Sequence, residues 1–345
     1  MNKVLLDDID AIIDKDLDNV MKSNAIMERL RGETIFIPKS YKDELEEKQL
    51  EAKKEKKQYP VTINPDQCLP IFLTQIENGS IDVSGLDLIK KGVIQIKANS
   101  FGPFFPEEYF NNDTKILWIL KESFIEGPSY SAGDRGGHNQ AAEYGYYFPQ
   151  YNNLGSDKAT HPRVLELTKM ILISLCELSK THERDLTKEV MKHICILEAN
   201  HFPGLAFYSK KTKDGLIGKW AEKNAIILKE LIEFYKPNIL IGGNTIGNFY
   251  NIPKCGISSL KNSIENGNNK LLSKLGINVY RDCVEQPKGS SSFVFKASLG
   301  RDNKPIYVID AYHPTKYKDA EAEADTKLIK EWMSKENGMI KSLTV

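Results

Sequence analysis

The feature that most constrains the fold is an alternation of short apolar runs and amphipathic helices across residues 115–335. Each apolar run is short and continuous, which is typical of a strand buried on both faces of a sheet. Helical segments separate the runs, so the strands are expected to be parallel and to carry helices on both faces of an α/β sheet. The predicted strands lie within 115–123, 193–204, 238–250 and 306–315, and the predicted helices span 163–180, 221–236 and 319–335.

The first part of the chain has a different pattern. Apolar residues at helical spacing within 1–35 predict one or two amphipathic helices. Residues 42–58 are almost wholly polar, with opposite charges at helical spacing, which is typical of a solvated helix or a lid. Prolines interrupt 60–110, where 93–98 is a short strand candidate. We therefore predict a mostly helical N-terminal extension over 1–110 and an α/β domain over 111–345.

Composition excludes several classes of protein. The chain has 345 residues, with 47 basic and 47 acidic side chains, so its formal net charge is zero and gives no global attraction to nucleic acid. A local basic groove remains compatible with this balance. No apolar run is long enough to span a bilayer, and the N-terminus lacks the apolar core of a signal peptide. These features predict a soluble, cytoplasmic protein with no membrane partner.

Cysteine and histidine spacing gives no sign of a metal site. The five cysteines include no C-x-x-C pair, which argues against a zinc ribbon or an iron–sulfur cluster. The histidines do not follow a spacing such as H-E-x-x-H. No dinucleotide-binding or P-loop motif is present either. We therefore expect no metal and no cofactor.

Polar residues follow each predicted strand, at the end where parallel sheets bind ligands. The Gly-Gly-Asn turn at 242–244 is open to two interpretations: backbone N–H groups at a helix start that hold an anion, or simply a tight strand-to-helix turn. The candidate residues that follow the four strands in chain order are Glu122, Asn200, Asn244 and His313.

Taken in order, four motifs resemble those of the uracil-DNA glycosylase superfamily. In that family an acidic or polar residue follows the first strand, an Asn ends the next, small residues end the third, and the last runs into His-Pro-Ser or His-Pro-Thr. The His-Pro-Thr at 313–315 is the most specific match. The matching segments are ILWILKES (116–123), ICILEANHFPG (194–204), KPNILIGGNTIGNFY (236–250) and VIDAYHPT (308–315).

The resemblance covers about 112–335 and implies a central four-stranded parallel sheet flanked by helices. Two departures are present. No Gly or Pro adjoins Glu122, and the loop over 125–160 is long. Together they favour a substrate base other than plain uracil.

The implied activity is hydrolysis of the N-glycosidic bond of a damaged or modified base in DNA, in repair or in defence against modified phage DNA. This reaction passes through an oxocarbenium-like sugar and an anionic leaving base. The resemblance implies that Glu122 stabilises the cation and orients a water, and that His313 donates to the leaving base. It also implies that the amide of Asn200 binds the base edge.

A base that leaves the duplex needs an aromatic face to stack on. Tyr147 and Phe148 are candidates for that face, and core packing or a lid is the alternative. After the last motif, Lys316 is expected to contact phosphate and Tyr317 to insert into the base stack; a solvated loop is the alternative. Asn244 and Thr315 complete the expected DNA contacts.

Two other functions remain open at this stage. One is a non-catalytic nucleotide or modified-base sensor on the same fold, which the zero net charge favours. The other is a hydrolase of free nucleosides or nucleotides. DNA is the expected partner, and the N-terminal extension is a candidate site for a protein partner.

Overall fold

The structure is a computed structural model. The residues that it describes are 2–38, 40–41, 43–44, 47, 59–61, 65–68, 94–98, 102–120, 124–125, 160–175, 188–200, 204–207, 215–243, 245, 272, 274–300, 303–311, 314 and 316–343.

The described helices and strands alternate along much of the chain. The helices are α1 (Asn2–Ile13), α2 (Asn19–Arg31), α3 (Pro106–Asn111), α4 (Thr160–Ser174), α5 (Gly215–Tyr235) and α6 (Asp319–Leu343). The strands are β1 (Thr34–Ile37), β2 (Tyr59–Val61), β3 (Ile94–Lys97), β4 (Ile116–Leu120), β5 (Phe124–Ile125), β6 (Ile194–Glu198), β7 (Gly204–Phe207), β8 (Ile239–Gly243), β9 (Ile277–Glu285), β10 (Phe293–Leu299) and β11 (Lys304–Ala311).

The chain divides into two compact units. The first comprises Met1–Phe101, Lys121–Gln140 and Glu198–Ile227, and the second comprises Gly102–Leu120, Ala141–Leu197 and Leu228–Val345. The first unit gathers three separate stretches of the chain, and the predicted boundary near residue 110 stays a prediction.

The first unit contains the helix pair that the N-terminal periodicity predicts. Leu5 and Ile9 of α1 and Ile26 of α2 are buried, as an amphipathic pair requires. The carboxylate of Asp18 caps α2 by accepting the N–H of Met21 at 2.8 Å. Small sheets complete the unit: β1 pairs antiparallel with β3, and β7 lies between β2 and β5.

The second unit is built on a six-stranded sheet in the order β6–β4–β8–β11–β10–β9. Strand β8 pairs in parallel with both β4 and β11, whereas β10 is antiparallel to β11 and to β9. Every residue of β4, β6 and β8 is buried, which explains their continuous apolar runs. The predicted α/β class is confirmed, but the sheet is mixed because β9 and β10 extend it.

Helices flank this sheet and are fixed to it by buried contacts. The indole N–H of Trp118 in β4 donates to Thr168 Oγ1 of α4 at 3.0 Å. Trp332 of α6 stacks on Tyr307 of β11, with ring centroids 6.3 Å apart. Helix α5 ends at Tyr235, where the sequence predicts its end before Pro237.

Among the described residues, no helix is both long enough and apolar enough to cross a membrane. The cytoplasmic location stays a prediction.

Candidate functional site

Three parallel strands of the second unit end level with one another. Ile119 of β4 lies opposite Gly242 of β8, and Asp310 of β11 lies opposite the same glycine from the other side. We call this end of the sheet, formed by Leu120, Gly243 and the end of β11, the carboxyl edge. The chain segments that follow β4, β8 and β11 therefore start from one edge, where parallel sheets bind ligands.

Gly243 allows the strand ends to approach closely. A Cβ at this position would lie 3.0 Å from Leu120 Cδ2 and 3.0 Å from Pro314 Cδ. The glycine is needed for space, since its φ lies outside the left-handed region. Close packing thus accounts for Gly243 and favours the tight-turn interpretation for this residue.

Thr245 fixes the start of the segment that follows β8. The side chain is buried, and its hydroxyl donates to the carbonyl oxygen of Ile119 at 2.6 Å. This bond joins the end of β8 to the end of β4. Sequence analysis did not select Thr245, because a threonine in a polar turn carries no signal of such a contact.

Asn200 lies in a buried stretch of the first unit. Its exposed fraction is 0%, and Glu198 is also buried. The amide of Asn224 in α5 donates to the carbonyl oxygen of Ala199 at 3.0 Å, which fixes the backbone beside Asn200. Asn200 is therefore an interior side chain on a held backbone. Sequence analysis passed over Glu198, although an acidic residue at the end of the apolar run ICILE was a signal for it.

Tyr317 occupies a different environment from the one predicted. Its exposed fraction is 1%, and its hydroxyl donates to the carboxylate of Asp325 in α6. Arg163 of α4 donates to its carbonyl oxygen at 2.9 Å. The expectation of a side chain that inserts into DNA is corrected accordingly, because this phenol is packed and hydrogen-bonded inside the second unit. Lys316, beside it, is exposed.

Asp325 is the centre of a buried polar cluster. Its Oδ2 accepts hydrogen bonds from the hydroxyls of Ser292 and Tyr317, and Ser290 Oγ lies 2.6 Å from Ser292 Oγ. Burial raises the pKa of Asp325, and the hydroxyl donors partly oppose this shift. Burial and the nearby Asp325 also raise the pKa of Tyr317, so its hydroxyl stays protonated and acts as a donor.

The opposite end of the parallel strands, which we call the amino edge, carries lysines. The backbone N–H of Lys115 donates to Asn238 Oδ1 at 2.9 Å, and the backbone N–H of Asn238 donates to the carbonyl oxygen of Lys115 at 2.8 Å. Lys304 Nζ donates to the carbonyl oxygen of Lys236 at 2.8 Å. Burial, with the charges of Lys115 and Lys236, lowers the pKa of Lys304.

Several predicted residues lie outside the described part of the chain, and the predictions on them stay predictions. They are the catalytic candidates Glu122 and His313, the stacking candidates Tyr147 and Phe148, and the DNA-contact candidates Asn244 and Thr315.

The described part of the chain contains no cluster of three or more His, Cys, Asp or Glu side chains able to hold a metal ion. Cys195 and Cys283 are free thiols.

Comparisons of the chain with protein-family models, with curated proteins and with solved structures gave no match. The resemblance to the uracil-DNA glycosylase superfamily therefore depends on the order of motifs in the sequence.

Proposed function

We propose that this protein hydrolyses the N-glycosidic bond of a damaged or modified base in DNA. In this proposal β6, β4, β8 and β11 correspond to the four-stranded parallel sheet of the uracil-DNA glycosylase superfamily, and β9 with β10 is an addition. One observation carries the proposal: β4, β8 and β11 end level at the carboxyl edge. The sequence places the segments with Glu122, Asn244 and His313 directly after those ends.

The proposed reaction divides the chemistry between two side chains. Water adds to C1′ of the sugar while the C1′–N bond breaks, and the electron pair of that bond leaves on the base. The carboxylate of Glu122 stabilises the positive charge on the sugar and orients the water. The imidazole of His313 donates a hydrogen bond to the negative charge that develops on the base.

Recognition of the substrate is assigned to other residues. The resemblance assigns the amide of Asn200 to the base edge through one donor and one acceptor, a contact that requires this 0%-exposed side chain to become accessible when the base binds. Tyr147 or Phe148 stacks on the base. Lys316 contacts phosphate, which agrees with its exposure just after the His-Pro-Thr motif. Asn244 and Thr315 complete the DNA contacts, and no residue is assigned to insertion into the base stack.

The burial of Tyr317 favours a second candidate function, hydrolysis of free nucleosides or nucleotides. Such a substrate has no neighbouring bases, so the enzyme needs no side chain to replace a base that leaves the stack. The catalytic assignments to Glu122 and His313 are the same in both candidates.

The test is single-turnover base release from a panel of single- and double-stranded DNAs that carry different modified bases, with alkaline cleavage at the resulting abasic sites. We expect release by the wild type, and a loss on the order of 100-fold in rate for His313→Ala and Glu122→Gln. The DNA dissociation constant should change far less, because backbone contacts dominate affinity. Glu323→Gln, at an exposed carboxylate of α6, is the matched control.

Two other outcomes would overturn the main proposal, and a third would change its mechanism. Release from free nucleosides but not from DNA would establish the second candidate. Tight binding of a modified base without release of any base would establish a sensor. Equal rates for Glu122→Gln and Glu323→Gln would remove Glu122 from the mechanism.

A further inference from the structure

The segment that follows His313 is anchored to the second unit at several points. Pro314 lies against Gly243, where its Cδ is 3.0 Å from the place of a Cβ. The carbonyl oxygen of Tyr317 accepts Arg163 Nη2 at 2.9 Å, and the backbone N–H of Lys318 donates to Glu321 Oε2 at 2.9 Å. The described residues on the C-terminal side of His313 are therefore held by elements α4 and α6 and by the end of β8.

Tyr317 is the residue of this segment that is held on both its side chain and its backbone. Its hydroxyl donates to Asp325 while its carbonyl oxygen accepts Arg163. Asp325 is wholly buried, and a buried carboxylate is costly unless hydrogen bonds satisfy it. Its donors come from two places: Tyr317 near the His-Pro-Thr motif, and Ser292 at the start of β10.

We propose that Tyr317, held by Asp325, is a positioning residue that fixes the His-Pro-Thr segment for the reaction. This inference rests on the proposed function. Tyr317 touches no substrate in this role; it acts through the backbone that carries His313, four residues before it. A catalytic group displaced by about 1 Å loses on the order of 100-fold in rate, so a single buried hydrogen bond at this point has a large effect on chemistry.

The cluster supplies a matched pair of variants. Tyr317→Phe and Ser292→Ala each remove one hydroxyl that donates to the same oxygen of Asp325. Each change removes one hydroxyl donor from Asp325, but only Tyr317 belongs to the segment after His313. If Tyr317 has a merely structural role, both variants should have the same rate of base release and the same amide exchange. A positioning role predicts a difference between them.

The experiment measures both variants in two ways, after circular dichroism shows that each is folded. The first measurement is the single-turnover rate of base release at saturating DNA. We expect Tyr317→Phe to lower this rate by about 10-fold or more with an unchanged dissociation constant, and Ser292→Ala to match the wild type. The second is amide hydrogen exchange of peptides that cover 311–319, which Tyr317→Phe should accelerate and Ser292→Ala should not.

The two measurements separate the failure of this inference from the failure of the proposed function. If the wild type releases no base, the proposed function is wrong and the segment after His313 has no catalytic role, whatever the rates of amide hydrogen exchange are. Base release by the wild type with equal rates for the two variants overturns the positioning role alone. If Tyr317→Phe is unfolded, Asp325→Asn replaces it, and an unchanged release rate for that variant overturns the inference.

Discussion

The two ends of the parallel strands in the second unit are built in opposite ways. At the carboxyl edge, small or rigid residues meet: Gly243 lies between Leu120 and Pro314, and Thr245 bonds to the end of β4. At the amino edge, backbone and amide hydrogen bonds between Lys115 and Asn238 hold the strand starts. The carboxyl edge therefore combines close packing with a side-chain hydrogen bond, whereas the amino edge is held by backbone and amide hydrogen bonds.

Glycine has a different purpose at each edge. Gly243 at the carboxyl edge provides space at an ordinary φ. Gly276 precedes β9 and Gly300 follows β10 at the end of the sheet where β11 starts, since Leu299 of β10 pairs with both Ile277 and Lys304. The carbonyl oxygen of Gly276 accepts the N–H of Gly300 at 3.0 Å. Gly276 and Gly300 have positive φ values, 71° and 65°, which residues other than glycine rarely adopt. Glycine therefore allows close approach of the chain at the carboxyl edge and a left-handed backbone conformation at the amino edge.

Charge also separates the edges. Lys115, Lys236 and Lys304 lie at the starts of three adjacent strands, and their mutual repulsion is one reason that the pKa of Lys304 is low. The carboxyl edge has uncharged residues at its described strand ends, Leu120, Gly243 and Ala311. Asp310, one residue before the end of β11, is a charged residue at this edge, and Glu122 and His313 stand in the sequence segments that follow the strands.

The largest effect is expected for Gly276→Ala at the amino edge. A left-handed backbone costs an alanine about 1–2 kcal/mol, and its Cβ would lie 2.6 Å from Glu233 Oε1, which must then move. We expect a loss of about 2–3 kcal/mol in the free energy of unfolding, measured by urea denaturation. Gly289→Ala is the control, because φ is 87° there but nothing lies within 4 Å of the new Cβ. Equal losses for the two variants would show that only φ matters at this edge.

A smaller effect is expected for Gly243→Ala at the carboxyl edge. Its Cβ needs Leu120 and Pro314 to shift by a few tenths of an ångström, at a cost of about 1 kcal/mol in the free energy of unfolding. Because Pro314 adjoins His313, base release should fall by a larger factor than this loss of stability explains. Gly218→Ala is the control: its site in α5 is open, and alanine there should stabilise by about 0.5–1 kcal/mol. A gain in stability for Gly243→Ala would contradict the close packing of this edge.

The smallest effect concerns pH. In the folded state the pKa of Lys304 is lowered, chiefly by burial and further by Lys115 and Lys236. Between that lowered pKa and the unfolded value of 10.5, the unfolded chain binds more protons, so stability rises with pH. Lys304→Gln removes this contribution. The difference in free energy of unfolding, wild type minus Lys304→Gln, should therefore increase as the pH rises toward 10.5 and stay below ~1 kcal/mol.

Lys288→Gln is the control for the pH experiment, since Lys288 is an exposed lysine in the turn between β9 and β10. It should leave the pH dependence of stability unchanged. A difference that decreases with pH for Lys304→Gln would mean that a partner stabilises the charged ammonium, and the electrostatic contrast between the edges would be wrong.

Strands that are buried on both faces were predictable because burial leaves a continuous apolar run. ILWIL became β4, ICILE became β6, and the run before Gly242 became β8. Strand β10 was not predicted, because polar residues such as Lys296 and Ser298 interrupt it. It is stabilised by pairing with β9 and β11, and these contacts are remote from any local pattern.

The side chains of the candidate site show the same limit. Tyr317 stands in a polar segment, and its sequence neighbours gave no reason to expect burial. Asp325 belongs to DAEAEAD, which has the composition of a solvated helix face, yet it is fully buried. In the interior, the hydroxyl of Tyr317 and the carboxylate of Asp325 form a hydrogen bond with each other. The two residues are eight positions apart in the sequence, so neither one's neighbours predict this bond.

By itself, the sequence determined the α/β class, the approximate positions of the main strands and helices, and the polar residues that follow each strand. Periodicity and turn residues carry that information, because they reflect which face of each element is buried. Only the tertiary structure decided that the sheet is mixed, that Gly243 serves close packing, and that Tyr317 lies inside rather than on the surface. Those outcomes depend on contacts between residues far apart in the chain, such as Arg163 with the backbone of Tyr317 and Gly243 with Leu120, which no local pattern encodes.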